Sequence, residues 1–135
     1  MPFRKIIRDM IQKAGLAIIR HHEVSLTPEV LEQLYPGLDP EIMAVTKQAL
    51  LDKVCEIGLI RGDDAIARLL EICGKNVDPK QCAHNTIRNL FGRRTPIRNN
   101  SGTIVYYFNI IHRPKNKSEA ERDLAIYVAI TPLSL

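Results

Sequence analysis

His112 follows an apolar run, residues 103–111 (TIVYYFNII), and precedes Arg113, Pro114 and Lys115. A neutral imidazole has a free lone pair and can attack an electrophile such as a phosphoryl group. A lone histidine at a strand end is also an ordinary surface residue, so the chemistry needs partners. Asp123 lies eleven positions on. If its helix packs back on the strand, its carboxylate can hold one ring nitrogen, fix the tautomer and leave the other nitrogen as the nucleophile. Asn109, three residues before His112, can tie down local backbone or contact a phosphate ester, and it equally suits a bulge or turn at a strand end. Arg88 carries a planar fork of donors suited to phosphate. Arg68 stands one turn from Asp64, where a surface ion pair is the plain alternative. Tyr35 ends a short helix before Pro36-Gly37; its phenol can donate a hydrogen bond, or its ring can simply be half-buried.

Charge points the same way. From Arg88 to Lys117 there are seven basic residues (Arg88, Arg93, Arg94, Arg98, Arg113, Lys115 and Lys117) and no Asp or Glu. Such a field attracts phosphate on a nucleotide, a nucleic acid or a lipid, unless the segment is only a solvated loop. Cations this close repel one another, so Arg88, Arg113 and Lys115 are expected to share an anion pocket with His112.

The elements that must position these groups follow from spacing and punctuation. Ile6, Ile7, Met10, Ile11 and Ala14 give one apolar helical face, ended by Gly15. Residues 16–25 read as a strand. Thr27-Pro28-Glu29 opens a short helix to Tyr35. Pro36-Gly37 breaks it, and Asp39-Pro40 starts another through about Leu51. Residues 53–61 suit a second strand. Gly62-Asp63-Asp64 is a turn and cap before a helix over 65–73, ended by Gly74. Asp78-Pro79 lies in a loop, and residues 99–102 (Asn-Asn-Ser-Gly) signal a turn. Residues 103–111 form the strongest strand, with His112 at its end. Ser118 with Glu121 makes a capping box opening a last helix, about 119–130. The order α-β-α-α-β-α-β-α predicts an α+β sandwich, a small sheet of three strands covered by helices. A sheet this thin needs cover or a partner subunit at its edge.

The chain has 135 residues, 45% of them hydrophobic and 25% charged, with a net charge of +4. These values fit one compact domain, 1–135. Aromatic content of 5% without Trp disfavours extended stacking platforms for single-stranded nucleic acid. Cys55, Cys73 and Cys82 form no close pair, which disfavours a disulfide framework or a structural zinc site. No signal peptide or membrane-spanning run is visible, so a cytoplasmic location is expected.

The same residues resemble the nucleoside-diphosphate kinase family. Thr86-Ile87-Arg88 is similar to its T-I-R element, and Asn109-Ile110-Ile111-His112 to its N-x-x-H element, whose histidine carries the phosphate. Ser118–Asp123 resembles the helix after that histidine, with Asp123 where the family has a supporting glutamate. Residues 54–74 resemble the strand, Gly turn and helix that lead into the family's G-x-T-[ND]-P loop. Arg68 matches a phosphate-contacting arginine, Asn76 stands near the loop threonine, and Tyr35 matches a phosphate-contacting tyrosine. The family's H-G-S-D is here His112-Arg113-Pro114-Lys115, and the gap between Arg88 and Asn109 is about ten residues longer than is usual in the family. The segment 36–51 lacks the family's base-stacking phenylalanine. The family opens with a central strand bearing a lysine, and this chain begins just after it, so the domain is N-terminally short.

The resemblance implies a ferredoxin-like α/β sandwich and ping-pong transfer of a γ-phosphate through a phosphohistidine. His112 and Asp123 would be catalytic; Tyr35, Arg68, Asn76, Arg88 and Asn109 would bind nucleotide. ATP or another nucleoside triphosphate and a nucleoside diphosphate would be the substrates. Magnesium is expected through the nucleotide phosphates, with no metal ligands from the chain. A homo-oligomer is expected, activity would be impaired without the lysine, and no membrane partner is implied. Two other readings stand beside it: a non-catalytic nucleotide-binding or regulatory relative, and a small basic nucleic-acid-binding protein using residues 88–117.

Overall fold

The computed structural model describes residues 3–51, 53–92, 97–98, 101–106 and 110–131. Helix α1 (Arg4–Lys13) ends where the sequence places its stop, at Gly15 with φ +87°, a conformation that costs glycine little. Strand β1 (Ala17–Ser25) then pairs antiparallel with β2 (Val54–Arg61), from Ala17 opposite Arg61 to Ser25 opposite Val54, with a register shift between Ile18 and Arg20. Between the two strands lie α2 (Pro28–Leu34) and α3 (Pro40–Leu50). Thr27 caps α2 by accepting from the Val30 N–H, and Asp39 caps α3 by accepting from Glu41 and Ile42; each helix has proline in its first turn.

After β2 come α4 (Ala65–Cys73), a 3₁₀ turn (Pro79–Gln81) and the short helix α5 (Ile87–Phe91). Strands β3 (Ile97–Arg98) and β4 (Ile104–Tyr106) pair antiparallel in a second sheet. Helix α6 (Lys117–Ile130) closes the described chain. This is the α+β class that the element order predicts, with small antiparallel sheets and several helices.

Five details differ from the expectation. The three-stranded sheet is instead two two-stranded sheets among the described residues. The strand expected over 103–111 is assigned only at Ile104–Tyr106; residues 107–109 lie outside the described residues, and 110–113 run as irregular backbone into His112. The cap of α6 is Asn116, whose Oδ1 accepts from Glu119 N–H at 2.9 Å, two residues before the expected Ser118. The N-terminal amides of a helix accept either side chain as partner, and Asn116 stands at the correct three-residue spacing from Glu119. At α4, Asp64 is left-handed (φ 51°) and its side chain makes no capping bond. Helix α5, only five residues long, is too short for its periodicity to stand out; Thr86 starts it by accepting from Asn89 N–H.

Ile11, Leu16, Cys73 and Ile87 form a buried core, and Ile110 and Ile111 pack against it. Partial burial of those two isoleucines holds the backbone immediately before His112, each contributing a share of the about 1.5–3 kcal/mol that full burial of an isoleucine is worth. Helices α2 and α6 contact each other, and the end of α2 and the early turns of α6 both reach that histidine.

Candidate active site

His112 sits between two of these elements. Its Nε2 is 3.0 Å from Asp123 Oδ2, on α6. Its ring and that of Tyr35, at the C-terminal end of α2, meet edge to face, with centroids 5.4 Å apart and planes at 80°. Aromatic rings prefer such an edge-to-face arrangement, which restrains the plane of the imidazole. Asp123 is itself held: Arg122 Nε and Nη2 lie 3.1 and 2.9 Å from Oδ1. One carboxylate oxygen is thus tied to the guanidinium and the other faces the imidazole. Burial alone would raise the Asp123 carboxyl, but the hydrogen bond and charge of His112, with those of Arg122, outweigh it and hold the carboxyl below its ordinary value of 3.8.

This arrangement makes a chemical distinction between the ring nitrogens. With Nε2 engaged by a carboxylate, the proton resides there and Nδ1 keeps the lone pair. Among the described residues, Nδ1 has no hydrogen-bond partner.

Arg88 adjoins the same segment. It is 4% exposed. Its Nη2 donates to the Ile111 carbonyl at 3.0 Å and its Nη1 to the Asn76 carbonyl at 3.1 Å. Arg113 is 5% exposed and its Nη2 donates to the Gly74 carbonyl at 2.9 Å. The two arginines together lace the loop after α4 to the backbone around His112. Burial first, and then the Arg88 charge, lower the Arg113 pKa, as nearby like charges require. Lys115 is exposed, and its backbone N–H donates to Glu119 Oε1 at 3.2 Å. The expected cation cluster is therefore a buried arginine pair, with the lysine at the surface.

The remaining expected residues are placed less directly. The Asn76 side chain accepts from Asp78 N–H at 2.9 Å, so its amide oxygen closes its own loop and its main-chain carbonyl meets Arg88. Arg68 is exposed, with Nη1 3.4 Å from where a Cβ on Gly15 would stand; no described contact joins it to His112. Asn109 lies outside the described residues. A cleft of about 240 Å³ lined by Lys5, Arg8, Asp9, Gln12, Ile18 and His21 includes none of the His112 constellation. Its residues show no convergent chemistry, so the site is assigned by side-chain geometry and not by cavity size. Sequence reasoning missed Arg122, for which adjacency to Asp123 was the available signal. Arg113 was expected to face a pocket with His112, but its burial against the Gly74 carbonyl had no signal in the sequence.

Among the described residues no group of three or more His, Cys, Asp or Glu side chains is arranged to hold a metal ion, and no helix is long and apolar enough to cross a membrane.

A histidine is thus oriented by a helix-borne carboxylate and set beside two buried arginines, on an α+β frame. The family model for nucleoside diphosphate kinase matches residues 3–131, and the chain belongs to the nucleoside diphosphate kinase family. Solved structures agree on the fold. A nucleoside diphosphate kinase from Encephalitozoon cuniculi, in its apo form, superposes with a TM-score of 0.78 at 20% identity, covering 98% of this chain and 84% of that one. The enzyme from Borrelia burgdorferi, a transition-state mimic with vanadate and ADP, gives 0.76 at 16% identity over 99% and 84%. That from Aquifex aeolicus gives 0.68 at 24% identity over 94% and 86%. No curated protein matches this chain. These neighbours share the expected ferredoxin-like α+β sandwich.

Proposed function

We propose that this protein transfers the γ-phosphate of a nucleoside triphosphate to a nucleoside diphosphate through a phosphohistidine at His112. The observation that carries the reading is the 3.0 Å contact between His112 Nε2 and Asp123 Oδ2, because it leaves Nδ1 as the nucleophile. In the first half-reaction the Nδ1 lone pair attacks the γ-phosphorus. The bond from that phosphorus to the β,γ-bridging oxygen breaks, and the diphosphate leaves with the bonding pair. The ring becomes a phosphoimidazole carrying positive charge, which the Asp123 carboxylate stabilises without taking the proton. In the second half-reaction the terminal oxygen of an incoming diphosphate attacks the same phosphorus and the nitrogen–phosphorus bond breaks.

Such a transition state asks mainly for positioning and charge stabilisation. Tyr35 and Asp123 position the ring. Arg88 supplies charge beside it, and Arg68, Asn76 and Asn109 are assigned to the nucleotide by family resemblance. Magnesium, carried on the nucleotide phosphates, neutralises negative charge there when bound. A homo-oligomer also belongs to this reading, because β1–β2 is a thin sheet.

A second reading, a non-catalytic nucleotide-binding relative, is favoured by Asn76, whose side chain closes its own loop, and by Arg68, which lies against Gly15. Steady-state kinetics separate the two. Transfer from ATP to GDP with parallel-line, ping-pong behaviour supports the kinase reading; nucleotide binding without transfer supports the second.

A further inference from the structure

Arg88 and Arg113 are both more than nine-tenths buried, and neither forms an ion pair with any described carboxylate. Their hydrogen-bond partners among the described residues are three main-chain carbonyls, of Gly74, Asn76 and Ile111. The Nε–H of each is buried and has no acceptor among the described residues. Glu119 acts on Arg113 only at a distance, since its carboxylate accepts from the Lys115 N–H. The thiol of Cys73 does not compensate either: burial, only partly offset by the charges of Arg113 and Arg88, pushes it up to about 11, so it is neutral. Two positive charges are therefore taken out of water beside each other with carbonyl dipoles alone for company. Buried charges are ordinarily paired.

From this juxtaposition we infer that the Arg88–Arg113 pair is one half of an oxyanion site, and that Arg113 is a phosphate-binding residue completing it. The ligand class is a phosphate oxyanion, from free inorganic phosphate or from the terminal phosphate of a nucleotide. A guanidinium presents five donors in a fixed fork, and each arginine here spends only one or two of its nitrogens on carbonyls. Arg88 bonds the Ile111 carbonyl and Arg113 directly follows His112, so an anion held by the pair would adjoin the histidine's backbone and relieve the repulsion between the guanidiniums. The inference deepens the kinase reading by giving its phosphate a second arginine, but it concerns binding and can be tested without any transfer.

The test is thermal melting of the whole chain in inorganic phosphate, in ADP, and in sodium chloride at matched ionic strength. The wild type is compared with Arg113→Met and Arg113→Lys. Phosphate at about ten times its Kd should raise the wild-type midpoint by about 5 °C above the chloride control. Arg113→Met should lose most of that increment, and Arg113→Lys, which keeps the charge and loses the fork, should retain part of it. If Arg113→Met does not fold, the wild type and Arg113→Lys decide. A rise no larger than chloride gives, or an undiminished rise in the Arg113 variants, overturns the site. Stabilisation by ADP without stabilisation by phosphate also overturns it, while leaving nucleotide binding intact. A phosphate response in a protein that never forms phosphohistidine leaves the site standing and removes the kinase reading.

Discussion

Asp123 Oδ2 approaches His112 Nε2 to 3.0 Å while Asp123 Oδ1 is held by Arg122 at 2.9 Å. The carboxylate is thus pinned at both oxygens, and the imidazole is presented with Nδ1 free for chemistry. The Asp123 carboxyl is held below its ordinary 3.8 in the fold, so its ionised form favours the folded state. That stability is complete well above pH 3.8 and is lost as pH falls through the lowered folded value. Asp123→Asn should cost about 1–3 kcal/mol at neutral pH, the worth of hydrogen bonds to a charged group. The gap between the two proteins should close as the medium is acidified below about pH 4. Melting curves across that range check it, and a gap that stays constant with pH would contradict the role given to the carboxylate.

Arg122→Ala should cost about 1 kcal/mol of stability, because its guanidinium, 29% exposed, keeps contact with solvent and such pairs are weak. Its effect should appear in the rate of phosphohistidine formation, since a freed Asp123 orients the imidazole less well. Rapid-quench labelling with Arg122→Lys alongside separates the two: a rate equal to wild type in Arg122→Ala would rule the orienting role out.

Much of this was legible in the sequence, and the reasons are local. Gly15, Thr27-Pro28 and Asp39-Pro40 mark helix ends through backbone chemistry that needs no tertiary context, and α1 to α4 follow them closely. The pairing of His112 with Asp123 was readable because a helix packed back on the chain brings that spacing together. The second sheet, the helix α5 and the cap at Asn116 were not. The first is set by long-range pairing, and α5 is only five residues long. At α6, Asn116 and Ser118 offer the same capping chemistry two residues apart. Nor could composition show that Arg113 turns inward while Lys115 stays outside, because that depends on the Gly74 carbonyl meeting it.

Gly74 makes that meeting possible. Its φ is +104°, and a Cβ there would stand 2.7 Å from Cys82 Sγ and 3.3 Å from Arg88 Cβ. Gly74→Ala should destabilise by roughly 1–3 kcal/mol through backbone strain, and should weaken function further by shifting the acceptor of Arg113. Denaturant unfolding with a parallel binding titration checks both. A variant with wild-type stability would mean the loop has room that the structure does not show.

The Cys73 thiol, fully buried and pushed up from 9.0 to about 11, should resist alkylation. At pH 8 its thiolate fraction is about 100-fold below that of a thiol with the ordinary value, before burial slows access further. Mass spectrometry after iodoacetamide should find Cys73 unmodified in the folded protein and modified in urea. Rapid modification of Cys73 in the native state would show that the loop after α4 opens readily.

Phosphohistidine formation is the most direct measure of the whole account. The protein is incubated with γ-labelled ATP and magnesium, and the product is tested for acid-labile, base-stable label and mapped by mass spectrometry and ³¹P NMR. Slow but stoichiometric label is expected on His112 Nδ1, absent from His112→Ala and reduced about 10²–10⁴-fold in rate in Asp123→Asn. Label on Nε2, label that persists in His112→Ala, or bound nucleotide with no phosphohistidine at all would contradict it.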